Sequence, residues 1–402
     1  MTLAIQHLRI IDGNGAAVER ATLLIEGNAI AGLGSDRTLR IPRGAARIDG
    51  RGLTALPGLI DCHVHLCLGA EADVVAATEQ EPPAMSLVKA TEMARRTLEA
   101  GFTTVRDVGF RDHGVFTLKQ AIDRGLALGP RIVAAGLAIC MPGGHARFIG
   151  REAGGVEAVR AAVQDQLAAG AEVIKVIASG GVLTPGTSPD QAQMTVDELT
   201  AAVELAHAQG RHVAAHAHGA SGMKNAVRAG VHSIEHGTLL DDEAGAMMAA
   251  RRVYMVPTLS ALATTAACPA GCGIPESALE KARSMVKQHQ KSFRAARRRG
   301  VPIALGTDAG TPFNFHGDNA QELERMVAFG MAPMESITAA TSAAARLLRL
   351  DGEIGSIAVG KKADLVFVEG NPLKNIEVVR RKDRLAGVMQ QGRFVAGPLS
   401  RI

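Results

Sequence analysis

The feature that most limits the fold is a repeated alternation between residues 56 and 310. It contains eight short, apolar segments: LPGLIDCHVH, TTVRDVG, RIVAAGLAI, EVIKVIASGG, HVAAHAHG, SIEHGT, YMVPTL and PIALGTDAG. Ala-rich stretches connect them, among them SLVKATEMARRTLEAG, VEAVRAAVQDQLAAG and TVDELTAAVELAHAQG, and MESITAATSAAARLLRL follows. Apolar residues in these stretches recur every three to four positions, and several stretches end in Gly, which suits a helix C-terminus. Strands that alternate with amphipathic helices pair in parallel, and eight of them meet the requirement of a closed (β/α)8 TIM barrel. The expected fold class is α/β, with the barrel over residues 56–345.

The two ends are written in another style. LAIQHLRIID, ATLLIEGNAIAGLG and ARIDGRGLTAL form short alternating runs separated by DGNG and EGN turns. IGSIAVGKKADLVFVEGN and GVMQQGRFVAG resume that style near the C-terminus. Residues 1–55 and 346–402 are therefore expected to form one small composite β-sandwich domain. Residues 260–292 are harder to place, and CPAGCGIP within them reads as an extended loop over the barrel.

Composition serves mainly to exclude. Lys and Arg number 44 against 40 Asp and Glu, a net charge of +4. That balance argues against nucleic acid or an anionic membrane as a partner. The basic runs KSFRAARRRG and RRKDR read as solvated surface. The five cysteines point to a reducing compartment, and CPAGC, with no second Cys or His pair beside it, reads as a loop with two free thiols. The N-terminus lacks a basic stretch leading into a long apolar one, and no run of 18 apolar residues follows. A soluble cytoplasmic protein is expected.

Within HVH, the side chains of His63 and His65 share one face of a strand. Two buried imidazoles need a metal, a hydrogen-bond network or water to offset their desolvation. Other groups of ligand type fall on later strands: Lys175 in the fourth, His216 in the fifth, His236 in the sixth and Asp308 in the eighth. Each alone has an ordinary reading, as a satisfied core histidine, a helix cap for Asp308, or a snorkelling or paired Lys175. Together they fall at the end of the barrel where catalysis occurs, so six groups from five strands would share one mouth.

In this order, PGLIDCHVHL, the lysine of EVIKVIASGG, AHAHG, SIEHG and GTDAG resemble the amidohydrolase superfamily, in its binuclear, carboxylated-lysine type. The likeness extends to its Xaa-Pro/Xaa-Arg dipeptidase and imidazolonepropionase-like branch, and GEIGSIAVGKKADLVFVEGNP is a similar closing segment. The resemblance implies two divalent metal ions, zinc first, with manganese, cobalt or iron as alternatives. His63, His65 and Asp308 would hold one and His216 and His236 the other, bridged by Lys175 as N6-carboxylysine. The implied reaction is hydrolysis of an amide C–N bond in a dipeptide, an N-acyl amino acid or a related small amide. A metal-bridging hydroxide would attack, with Asp308 accepting and returning the proton.

His218 shares the strand face of His216 and is expected to contact substrate, with a ligand role as the alternative. In MPGGHARFIGRE, GGH resembles a loop of the dipeptidase-like branch. There His145 would bind a substrate carbonyl and Arg147 a carboxylate. ARFIG departs from the acidic continuation of prolidase-like relatives, which counts against a Xaa-Pro preference. His316 in HGDN is a further wall residue, and Phe148, Phe313 and Phe315 are rings near the site expected to serve core packing. Other readings are a lactam or cyclic-amide hydrolase, and an imidazolonepropionase-like or deaminase enzyme, whose mononuclear members generally lack the strand-four lysine. A noncatalytic scaffold is a third, although such chains usually lose ligands and this one has all six. The resemblance also implies a homo-oligomer.

Overall fold

The computed structural model describes residues 2–401. By packing, the chain separates into two units: residues up to Asp61 with Arg95–Thr104 and Gly317 onward, and Cys62–Ala94 with Val105–His316.

Both chain ends build one eight-stranded sheet in the first unit. Its order is Arg393–Ala396, Leu385–Gln390, Leu365–Glu369, Leu53–Pro57, Thr2–Ile11, Ala17–Glu26 and Ala29–Ser35, and Ala46–Asp49 also pairs with Thr2–Ile11. The ends meet where Leu365–Glu369 lies antiparallel to Leu53–Pro57, in register from Leu365↔Pro57 to Glu369↔Leu53. The DGNG turn forms because the Asp12 carboxylate accepts the N–H groups of Asn14 and Ala16 at 2.8 and 2.9 Å. Inward residues of both ends, including Ile5, Leu8, Leu23, Ile25, Phe367 and Met389, join one apolar cluster. Full burial of each large member is worth about 1.5–3 kcal/mol.

In the second unit a parallel sheet runs Gly150–Glu152, Ala138–Cys140, Val173–Ile177, His212–Gly219, Ser233–Leu239, Tyr254–Val256. A three-stranded sheet holds Leu59–Val64, Phe102–Asp107 and Arg131–Ala134. Backbone bonds run on beyond both sheets: Glu172 N–H donates to Ala134 O at 2.9 Å, Met255 N–H to Pro302 O at 2.8 Å, and Cys62 N–H to Leu305 O at 2.9 Å. Two parallel bridges, Met255↔Ile303 and Val64↔Ala309, lie on either side of the same stretch.

RIVAAGLAI was expected as one strand and is two, because Gly136 takes φ 73° and turns the chain between Ala134 and Ala138. PIALGTDAG makes bridges and no regular strand. Pro302 has no N–H to donate, and Asp308 and Gly310 take φ 60° and 106°.

The helices follow their sequence signals. Val196–Ala208 opens on a capping box, with Thr195 Oγ1 accepting Glu198 N–H at 3.2 Å and Glu198 Oε2 accepting Thr195 N–H at 2.8 Å. Residues 260–292, which the sequence left hard to place, are mostly the helices Leu259–Ala267 and Glu276–Arg298, and CPAGCGIP between them has no regular structure, as expected of a loop. Ala278, Leu279, Ala282 and Met285 recur at helical spacing and pack with Leu262, Ile274 and Val182. Between these helices Cys268 and Cys272 form a disulfide, which corrects the reading of CPAGC as two free thiols; Cys62, Cys67 and Cys140 are buried and in no disulfide. Among the described residues no helix is long and apolar enough to cross a membrane.

Candidate metal centre and active site

Two groups of ligand atoms are drawn together in the second unit. His63, His65 and Asp308 form one, and His216, His218 and His236 the other, with the offered atoms of each group within 4.8 Å of one another and every residue buried. They line one cavity together with Lys175, His145 and Phe148.

Each expected imidazole ligand has one ring nitrogen bonded to protein and the other turned to the centre. His63 Nδ1 lies 2.8 Å from Glu235 Oε2, and His65 Nδ1 lies 2.8 Å from Gly109 O. Their Nε2 atoms stand 3.4 and 3.3 Å from the same oxygen, Asp308 Oδ1. His236 Nδ1 lies 2.7 Å from Thr258 Oγ1, His216 Nε2 lies 3.3 Å from Gly180 O, and the remaining nitrogens, His236 Nε2 and His216 Nδ1, meet at 2.9 Å. An outer partner of this kind fixes ring orientation and tautomer in metal sites.

The Lys175 ammonium lies in the same cavity, and its Nζ is buried without a hydrogen-bond partner. Burial lowers it to about 8, which favours the neutral amine. Burial by itself would raise Asp308, yet His63 and His65 hold its carboxylate well below the usual range. Burial likewise keeps His216, His218 and His236 neutral, far below the ordinary imidazole value.

Beneath His63 lies a buried charge network with no counterpart in the sequence reading. Glu235 Oε1 takes a hydrogen bond from Arg106 Nη2 at 2.8 Å and from Ser233 Oγ at 2.5 Å, and Arg106 Nε donates to Cys62 O at 2.6 Å. Burial acts to raise Glu235, but Arg106 first and then His63 outweigh it and hold the carboxylate at about 2. A signal was present in the sequence: TTVRDVG and SIEHGT each carry a charge inside an apolar strand, and buried opposite charges call for each other.

The backbone is strained around this centre. His236, Thr258, Asp308 and Ala146 take φ of 72°, 48°, 60° and 61°, a region that non-glycine residues seldom occupy and β-branched ones least of all.

The structure sorts the expected substrate residues. His145 lines the cavity, its Nδ1 2.9 Å from Thr184 Oγ1, with its ring against Gly181, where a Cβ would come within 2.3 Å of Nε2. His218 also lines it, its Nδ1 2.7 Å from Thr238 Oγ1 and its ring stacked on His236 at 4.5 Å. Arg147 is exposed and stands outside the lining. His316 is buried behind the wall, its Nε2 3.2 Å from His65 O. Phe148 faces the cavity, Phe313 packs under the helix pair, and Phe315 is 49% exposed, so the packing expectation holds for Phe313 and not for Phe315.

Parallel strands delivering histidines, a lysine and an aspartate to one cavity match a known pattern. The chain belongs to the amidohydrolase family, which matches residues 54–395. It is 31% identical to the ochratoxinase of Aspergillus niger over 97% of this chain and 85% of that protein. Among solved structures it is similar to a Xaa-Pro dipeptidase with methionine bound in the active site, with TM-score 0.91, 37% identity and coverage of 99% and 100% of the two chains. It is also similar to a prolidase complexed with N-methylphosphonate-L-proline, with TM-score 0.90, 32% identity and coverage of 98% and 99%.

Proposed function

We propose that this protein is a binuclear metal-dependent hydrolase of amide C–N bonds in small molecules, with a dipeptide or N-acyl amino acid type of substrate as the starting expectation. The relatives support the reaction class, since an ochratoxinase, a dipeptidase and a prolidase are all similar to it. The observation that carries the reading is the commitment of one nitrogen on each of His63, His65, His216 and His236 to protein, which leaves four convergent donors. The unpartnered Lys175 Nζ supplies the fit for a bridge, because the neutral amine adds carbon dioxide, releases a proton and becomes an anionic oxygen donor.

In this reading His63, His65 and Asp308 would hold one ion and His216 and His236 the other, with Lys175, as N6-carboxylysine, a ligand to both. Zinc is the first expectation for such donors. Two such ions supply Lewis acidity for the scissile carbonyl and a water made nucleophilic at neutral pH. The chain supplies the rest. Asp308, ionised at neutral pH, accepts the proton of the attacking water and returns it to the departing nitrogen. His145, kept neutral by burial, which lowers it to about 3, offers a hydrogen bond to the substrate carbonyl. His218 stands beside it as a second contact.

We read the strand and bridge hydrogen bonds of the second unit as a closed (β/α)8 barrel and the terminal sheet as a β-sandwich curled on its own cluster. Barrel residues 56–345 and sandwich residues 1–55 and 346–402 are the corresponding domains. A homo-oligomer and a cytoplasmic location complete the reading.

The test is a hydrolysis screen over dipeptides, N-acyl amino acids, neutral amides and lactams with zinc and bicarbonate supplied, alongside metal analysis. Two ions per chain, incorporation of labelled carbon dioxide at Lys175 and amide cleavage are expected. One ion per chain without the label points to a deaminase-like enzyme. Two ions with no cleavage point to a scaffold.

A further inference from the structure

We propose, resting on amide hydrolysis at this site but in place of the dipeptide or N-acyl amino acid expectation, that its preferred substrates are uncharged amides with apolar groups on both sides of the scissile bond and no free carboxylate. Two apolar walls flank the metal centre. On the His65 side stand Val108, Phe148 and Ile149, and a Cβ placed on Gly109 would touch both His65 and Ile149. Val182, Leu183 and Leu262 form a second apolar part of the lining, where the chain after Gly181 packs under the helix pair.

The basic side chains near the cavity are engaged elsewhere. Lys281 Nζ donates to the carbonyls of Gly181, Thr184 and Thr187 at 3.4, 3.3 and 2.8 Å, so its charge pins the loop. Arg106 is fully buried against Glu235, and Arg147 points its charge outside the lining. Lys175 belongs to the metal centre. The wall hydroxyls have also spent their protons on the backbone: Thr265 Oγ1 donates to Ala261 O at 2.9 Å and Thr311 Oγ1 to Asp308 O at 2.7 Å. Away from the metal centre, a carboxylate entering between these walls loses its hydration and meets no unengaged side-chain cation among the described lining residues, whereas a hydrocarbon group of the same size loses nothing.

N-benzoyl-L-leucine and N-(3-methylbutyl)benzamide test this directly, because they differ only in the carboxylate. The zinc- and bicarbonate-loaded enzyme is assayed for benzoate release, and binding of the pair is ranked separately by thermal shift. The neutral amide is expected to show a kcat/KM about 100-fold higher and the larger shift, and Leu262→Arg should raise cleavage of the acid about 10-fold. Equal or faster cleavage of the acid overturns the substrate class and leaves the amide hydrolase standing. Failure of both, together with every amide of the wider screen, removes both.

Discussion

The two ligand groups rest on different supports. His63 leans on a buried carboxylate, Glu235, itself held by Arg106, and shares Asp308 with His65. His216, His218 and His236 lean on a carbonyl and two hydroxyls, Gly180 O, Thr238 Oγ1 and Thr258 Oγ1. A carboxylate behind an imidazole makes it a more basic donor than a neutral oxygen does. In the proposed centre the first group would therefore be the firm seat, and the second would depend on whatever Lys175 brings to it. Such an asymmetry suits a two-ion hydrolase, in which one ion anchors the centre and the other adapts as substrate arrives.

The largest test strikes the group proposed both to ligate and to move the proton. Asp308→Asn should keep the metal through its amide oxygen and lose kcat on the order of 10³-fold. Turnover near the wild-type value, measured beside metal content, would remove the proton assignment.

Lys175→Ala then asks whether the second group can hold an ion without its proposed bridge. The expected result is retention of one ion at His63, His65 and Asp308, with loss of the second and a fall in activity of about 100-fold or more. Two tightly held ions in that variant would show that the second group stands unaided. Dialysis of the wild-type enzyme against a chelator should reveal the same order as two phases of metal loss.

Glu235→Gln and Thr258→Val compare the supports themselves. The first should weaken the tighter ion by about 10–100-fold and, by leaving Arg106 buried without its partner, destabilise the fold by about 3–5 kcal/mol. Metal titration and denaturant melts measure the two effects. Thr258→Val keeps the side-chain shape, removes the hydroxyl behind His236 and should weaken only the looser ion, by several-fold. An equal loss in both variants would abolish the distinction between the groups.

Most candidate ligand positions were legible because they sit in strands whose apolar, β-branched neighbours leave little choice of structure. Leu59–Val64, Val173–Ile177, His212–Gly219 and Ser233–Leu239 formed as their patterns required. The split at Gly136 was hidden, since RIVAAGLAI is apolar throughout and only its glycine hints at a turn. The helix Glu276–Arg298 was obscured by its charged residues, although its buried positions keep helical spacing. Long-range pairing was the real barrier. Arg106 and Glu235 are 129 residues apart, and no local rule joins them. Arg147 was over-read for a related reason: a loop motif gives the residue type and leaves open which way its side chain turns.

The unusual torsions at His236, Thr258 and Asp308 bear on protein engineering. Departures of this kind cost about 1–3 kcal/mol each, so glycine at these positions would relax the chain. A search for heat-resistant variants will therefore be drawn to them, above all to β-branched Thr258. There it will collect changes that harden the protein while silencing its chemistry, a conflict between endurance and activity that belongs to the centre itself.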